Sequence, residues 1–537
     1  MKIHISEQSI QKSRQFFEKW SPAVLFCILT AISVAAFVHY LHNGLGVAYN
    51  DARSHLDIGR RVVEGLNTGA AQLGSVWLPL THLLMAVTIW NDFMWHTGLA
   101  GALQSMIAFV AIGLLIYQFL KELGASMIAR YAGVFVFVAN VNILYLQSTA
   151  MTELMLMGTM TAGAYCFLRW YKSEDIYYLV VSAFWIMLST LVRYDGWFLF
   201  FLATLLIAIH VWYAYSFEKM EGTVVLFCTL GGFGIIGWLV WNLLIFGDPL
   251  YFALGPYSAH AQQEQLNAAG VLPTKYQWFE SAKVYWYALA YDSGTFTLLL
   301  GIFGATALWT HKKVDTSLRI ASVLLVAPWL FNIIALYLGH SVLYIQGLSG
   351  ETWFNVRYGI LMMPSLAIFV GYLIHRLKHL RVVLIGLLLF VAFFQFSSGD
   401  AATIDDATVG SSQKNVTEVA GWLHKNTKDV PGFVLISAAS HDSVIFSSGL
   451  PMMKFIHEGT GTYYDKAIEF PDRWARWIVL RTYSEEDSTW RLLKNNPGFT
   501  ERYTLVDHYP FADVYQLKDE YLPDLNTEPT LNPKVKK

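Results

Sequence analysis

The chain has 537 residues, 55% of them hydrophobic and only 14% charged, with a mean hydropathy of +0.41. Soluble domains average about 45–50% apolar and about 25% charged residues, so most of this chain belongs in a bilayer. A formal net charge of −2 gives nucleic acid no electrostatic hold and excludes it as a partner class. The three cysteines, Cys27, Cys166 and Cys228, each sit inside an apolar run and suggest neither a disulfide framework nor a zinc site.

The N-terminal stretch MKIHISEQSIQKSRQFFEKW is basic, and the apolar run that follows it, 21–41, lacks a small-residue cleavage site. It reads as a retained anchor. A spanning helix needs about 20 mostly apolar residues, and irregular backbone cannot face lipid. On that basis about eleven transmembrane helices are expected: 21–41, 98–120, 128–146, 153–171, 176–192, 197–215, 223–246, 295–310, 320–338, 358–375 and 381–397. The stretch 77–95, WLPLTHLLMAVTIWNDFMW, is shorter and interrupted, and reads as interfacial or re-entrant. Lys and Arg crowd the short connections 1–20, 121–130, 169–175, 216–222, 311–319 and 375–381, and thin out over the longer ones. The positive-inside rule then places the N-terminus in the cytoplasm and the long segments 42–97, 247–294 and 339–357 outside. An odd number of spans leaves the C-terminus extracytoplasmic.

After residue 397 the composition becomes that of a soluble domain. VTEVAGWLHKN and EEDSTWRLLKNN have helical spacing, while GFVLISA, WARWIVLRTYS, ERYTLVDHYP and ADVYQL read as strands. The expected organisation is a transmembrane domain over 1–397, whose first outer loop 42–97 carries a juxtamembrane helix. A small extracytoplasmic α/β domain and tail follow over 398–537.

The chemistry-bearing residues gather on the outer side. Asn50-Asp51 can start a helix in which Leu56, Gly59, Val63 and Leu66 repeat at helical spacing, with Arg53, Arg60, Arg61 and Glu64 off that stripe. Such a helix would lie in the membrane interface. Asp51 would either cap it or act as a general base facing a cleft. Glu153 sits at the outer end of the fourth span, at a depth where an acid marks function by default; snorkelling or capping through Thr152 is the plain alternative. STLVRYDGWFLF puts Arg193 and Asp195 in a tight outer turn, two apart, where they could simply pair. ETWFNVRYGILMMP puts Arg357 at the outer mouth of the tenth span among Trp353, Phe354 and Tyr358. Arg grips phosphate through a planar fork, and a cation on this side runs against the positive-inside rule; an interfacial anchor is the competing role. Asp51 and His55 are four apart on one helix face, a candidate metal pair that His82 could join.

These residues, in this order and on this side, resemble the GT-C superfamily of membrane glycosyltransferases. Its members use polyprenyl-phosphate sugars and include protein O-mannosyltransferases and lipid A aminoarabinose transferases. Asp51 matches the first-loop Asp near the start of a juxtamembrane helix. WLPLTH, from Trp77 to His82, is similar to the His-Pro-Pro-Leu type segment that follows that loop. Glu153 matches the second acid, and RYDGW (193–197) and VRYGILMMP (356–364) look like segments of the same superfamily. The resemblance covers about residues 20–400. Asp51-Ala52 stands where the mannosyltransferases carry Asp-Glu, which speaks against protein mannosylation. The lack of a Trp-Trp-Asp motif speaks against en bloc glycan transfer.

The resemblance implies a multi-pass enzyme of the cell membrane that moves a sugar from a polyprenyl-phosphate donor to a glycan, lipid or protein acceptor by inverting displacement. Asp51 and Glu153 would be catalytic, and Arg357 and Arg193 would hold the donor phosphate. His55, His82, Tyr194, Asp195, Trp353 and Tyr358 would line the substrate site. A divalent metal is conceivable, with Asp51 and His55 as ligands, and membrane lipid is the expected surroundings. The rival functions are a transporter or flippase of lipid-linked sugars, and a polysaccharide ligase or polymerase. Transporters usually show repeats and midplane charges, and here no repeat is evident.

Overall fold

The computed structural model describes residues 7–255, 258–410 and 415–530. The first six residues of the basic N-terminal stretch, Pro256 and Tyr257 of the outer segment 247–294, and the Lys-containing end of the tail lie outside the described residues. The chain divides into two compact units: 1–46, 76–81 and 102–411 form one, and 47–75, 82–101 and 412–537 form the other. The expected boundary at 397 is therefore displaced. The short helix Ala402–Thr408 belongs to the helical unit, and most of the first outer loop groups with the C-terminal residues.

The helical unit is that of an integral membrane protein. Among the described residues, six helices are long and apolar enough to cross a membrane, from Glu18–His42 to Arg381–Thr408. Two bent pairs raise the number to as many as eight: Phe217–Gly231 with Phe233–Phe246, bent by 48°, and Trp278–Ser293 with Thr295–Thr310, bent by 109°. Several of the apolar runs expected as spans are interrupted by polar residues that cap or break helices. The run 128–146 becomes two helices, Met127–Val138 and Val141–Leu146, because the Asn140 side chain accepts a hydrogen bond from the Ile143 N–H and starts the second. Ile176–Thr190 has only 15 residues. At the 109° break the freed carbonyl of Asp292 accepts from the side-chain amides of Asn140 at 2.7 Å and Asn142 at 3.0 Å. A broken helix inside a membrane protein is tolerated where its backbone groups are satisfied in this way.

The second unit contains a five-stranded mixed sheet. Its strands are β1 (Phe433–Ile436), β2 (Phe455–Ile456), β3 (Ala475–Leu480), β4 (Tyr503–His508) and β5 (Asp513–Leu517), in the order β2-β1-β3-β5-β4. β1 is parallel to β2 and β3, while β5 is antiparallel to β3 and β4. The four strands expected from the sequence are all present. β2, only two residues long, gave no periodic signal. Leu435, Ile456, Ile478 and Leu480 are fully buried in the core of the sheet.

The first-loop helix, Asn50–Val63, is built into this unit. Glu64 accepts from the Met452 N–H at 3.0 Å, Gln72 donates to the Gly459 carbonyl at 2.7 Å, and Trp95 meets Phe446 edge-on at 6.1 Å. The expectation of a polar helix face turned to lipid headgroups is corrected at Arg60, which is buried. Its guanidinium donates to the Ile89 carbonyl at 2.7 Å and to Asp92 at 2.6 Å, pairs with Glu64, and lies 4.7 Å from the Trp95 ring centre. With carboxylates on two sides, the charge is satisfied inside the unit.

His457 closes the turn after β2. Its Nδ1 accepts from the Gly459 N–H at 3.1 Å, and Thr460 completes a reciprocal cap. Burial, with Arg61 adding repulsion, pushes its pKa down to about 3. Unfolded histidine takes a proton near pH 6.5 and this folded one does not, so stability is fully present above about 6.5 and falls by ~1.4 kcal/mol per pH unit below it, toward 3. Thermal unfolding of the protein between pH 7.5 and 4.5 should show this slope, and His457→Asn, which keeps an acceptor but cannot titrate, should flatten it.

Candidate active site

Three segments of the helical unit bring their charged residues to one place. Glu153 is the first residue of the helix Glu153–Ser173, where the positive end of the helix dipole favours a carboxylate. Thr152 makes no side-chain cap, and Glu153 is fully buried, so neither capping through Thr152 nor snorkelling describes it. Arg193 and Asp195 sit in the turn between Ile176–Thr190 and Asp195–Ala214. Gly196 makes this turn possible: a Cβ there would lie 2.3 Å from the Ser189 backbone. Arg357 lies in a tight 3-10 segment, Val356–Met362, entered through Asn355 in the left-handed conformation (φ 57°). The Asn355 amide donates to the Val342 carbonyl at 2.9 Å and so fixes that unusual geometry. Gly359 lets the segment lie against the helix Trp278–Ser293, since a Cβ would come within 2.6 Å of the Ala288 backbone.

One carboxylate oxygen organises the cluster. Glu153 Oε1 accepts from Arg357 Nε at 3.0 Å and from Arg193 Nη1 at 3.2 Å. Arg193 Nε also donates to Asp195 Oδ2 at 3.3 Å, and Asn332 donates to Asp195 Oδ1 at 3.3 Å. Arg357 Nη1 lies 3.7 Å from Asp406 Oδ2. Both guanidiniums approach the Tyr358 ring, at 4.8 Å for Arg193 and 5.5 Å for Arg357, so cation–π attraction adds to the ion pairs. The two arginines differ in access: the side chain of Arg193 is 19% exposed and that of Arg357 3%.

The other expected site residues distribute as follows. Tyr194 donates to the Val76 carbonyl at 3.1 Å and stacks on Phe252, and Trp353 packs edge-on against Tyr291 at 5.0 Å. Asp51, His55 and His82 belong to the second unit. Asp51 is in the first turn of its helix, two residues after the capping position held by Tyr49, and is half-buried. His55 Nδ1 and His82 Nε2 are 2.9 Å apart and both rings are buried. One ring donates and the other accepts, so these nitrogens face each other rather than a shared ion. Among the described residues no group of three or more His, Cys, Asp or Glu is placed to hold a metal.

Sequence reasoning passed over Asn140, Asn142, Asp292, Asn332 and Asp406, all buried. A signal was available for four of them, because polar side chains inside FVANVNILY, YWYALAYDSG and PWLFNIIALY are expensive in an apolar segment and mark function or register.

The shared acceptor sets an energetic expectation. Glu153→Ala strips two buried guanidiniums of their common partner, and breaking a buried pair on one side costs about 3–5 kcal/mol. Thermal unfolding in detergent should show Glu153→Ala as the most destabilising single change in the cluster, with Glu153→Gln milder because its amide oxygen still accepts.

No family model matches the chain, and no curated protein matches it. Solved structures do. ArnT from Cupriavidus metallidurans bound to undecaprenyl phosphate aligns over 91% of this chain and 98% of its own, with 11% identity and a TM-score of 0.56. The apo form of the same protein gives the same coverage and identity with a TM-score of 0.54. An oligosaccharyltransferase from Archaeoglobus fulgidus, in complex with Zn and sulfate, aligns over 92% of this chain and 73% of its own, with 11% identity and a TM-score of 0.49. The cluster from Glu153 to Arg357 is thus carried on a fold similar to that of ArnT.

Proposed function

We propose that the chain transfers a sugar from a polyprenyl-phosphate donor to an acceptor hydroxyl or amine, by direct displacement with inversion at the anomeric carbon. The observation that carries this reading is the pair of guanidiniums held on Glu153, in a fold shared with a protein seen bound to undecaprenyl phosphate. A lipid phosphate gains negative charge as the glycosidic bond breaks, and preoriented cations stabilise that charge. Arg193, the more open of the two, would meet the phosphate first, with Arg357 behind it. Glu153, buried and bonded to both, orients them and is not a proton acceptor in this scheme. Asp51, half-buried at a helix start, takes the acceptor's proton. Tyr194, Asp195, Trp353 and Tyr358 shape the substrate site of the helical unit, and His55 and His82 are substrate-binding candidates of the first loop. The reaction would take place at the extracytoplasmic face of the cell membrane, with the N-terminus in the cytoplasm.

The 109° break beside buried Asp292 favours a second reading, a flippase of lipid-linked sugars, since broken helices line transport paths. A sealed-vesicle assay separates the two: transfer yields a glycosylated acceptor and free polyprenyl phosphate, whereas flipping yields unchanged donor in the other leaflet.

Asp51→Asn keeps size and helix-start character but cannot accept a proton, so turnover should fall by about 100-fold or more with normal insertion and folding. Near-normal turnover would leave Asp51 with a structural role only. Arg357→Ala should abolish most donor use, and Arg357→Lys, which keeps charge but loses the planar fork, should restore only part of it. Initial rates against donor concentration for both variants check this.

A further inference from the structure

We infer that Asp406 is a positioning residue for Arg357 and sets how that guanidinium is offered to the donor phosphate; the inference rests on the phosphate-binding reading above. Asp406 lies in Ala402–Thr408, the short helix that ends the last candidate span, in a stretch where sequence alone suggests no site. The segment is fastened at its start: the backbone N–H and the hydroxyl of Thr403 both donate to Asn142 Oδ1, at 3.1 and 2.7 Å. Asn142 in turn donates to the Asp292 carbonyl. At the far end, Gly410 lies so close to the Trp353 carbonyl that a Cβ would come within 2.7 Å of it. Between these two points the Asp406 carboxylate is fully buried, 3.7 Å from Arg357 Nη1.

The placement matters because of what an arginine does when left alone with a carboxylate. The preferred geometry is two parallel hydrogen bonds, fork to fork. Arg357 does not adopt it with Glu153: only Nε and Oε1 meet, and among the described residues Glu153 Oε2 has no hydrogen-bond partner. Asp406 attracts the Nη1 side away from Glu153 and keeps the guanidinium from turning onto both oxygens of Glu153. Without Asp406 the fork closes onto both oxygens of Glu153, its charge is spent there, and it withdraws from an incoming phosphate. Asp406 is itself an anion, and its removal would otherwise favour anion binding. The positioning effect therefore has the opposite sign to the simple charge effect, which makes it measurable.

The test is binding of undecaprenyl phosphate, with undecaprenol as the phosphate-free control, to the full-length protein in nanodiscs. Asp406→Asn should weaken undecaprenyl phosphate about ten-fold, as expected for loss of an oriented guanidinium contact, and leave undecaprenol unchanged. Thr403→Val, which removes one bond of the fastening and no charge, should weaken it in the same direction. On an Arg357→Ala background Asp406→Asn should add nothing. Unchanged or tighter phosphate binding by Asp406→Asn, with Arg357→Ala weakened, overturns the positioning role and leaves the phosphate reading intact. A lowered melting temperature with normal binding per folded molecule assigns Asp406 to stability alone and also overturns it. If Arg357→Ala binds undecaprenyl phosphate like the unmodified protein, both the phosphate reading and this inference fail.

Discussion

The helical unit depends on one oxygen atom. Glu153 Oε1 takes a hydrogen bond from each of two arginines that come from segments 40 and 204 residues away in the chain. In a low-dielectric interior a guanidinium as buried as that of Arg357 needs such an acceptor, and Arg193 shares it. The arrangement therefore couples three pieces of backbone: the start of the Glu153 helix, the turn before Asp195, and the 3-10 segment around Arg357. Each piece carries a local feature that makes sense only with the ion cluster in place. Gly196 and Gly359 allow backbone approaches that no side chain would permit, and Asn355 holds a left-handed conformation to turn the chain.

Around this centre the balance of charge is unusual. Glu153 contacts both arginines, Asp195 pairs with Arg193 and Asp406 with Arg357, and Asp292 lies within electrostatic reach of Asp406 and Glu153. Acids outnumber bases in this cluster, and Arg193 keeps some exposure. The amides of Asn140 and Asn142, on the Asp292 carbonyl, and of Asn332, on Asp195, brace the surroundings without adding charge of either sign.

Much of this was legible in the sequence, for physical reasons that can be named. Glu153, Arg193 and Arg357 stand out because ionised groups at the ends of apolar runs are costly, and the structure brings all three together. The four longer strands follow from β-branched and aromatic runs bounded by turn residues. Breaks inside apolar runs are hidden where hydropathy averages over them: Asn140 divides one run, and Gly294 marks a 109° bend between two helices. The Asn50–Val63 helix was readable as a helix but not in its surroundings. Its amphipathic pattern is the same whether the polar face meets lipid headgroups or, as at Arg60, partners within the folded unit. Asp406 was invisible because nothing local distinguishes it from Asp405, its half-buried neighbour; only the partner across the fold does.

The joining of the first loop to the C-terminal residues has a consequence in time. Glu64 and Met452 are 388 residues apart, and Gln72 and Gly459 are 387 apart, yet each pair is hydrogen-bonded. At synthesis rates of about 5–20 residues per second, the loop emerges roughly 20–80 s before the segment that completes its fold. Throughout that interval the helix Asn50–Val63 lacks the helix Ala438–Ser448 that it packs against. The second unit is therefore the last part of the molecule able to mature, and a chain stopped short of β2 would carry a finished set of membrane helices with an unfinished loop.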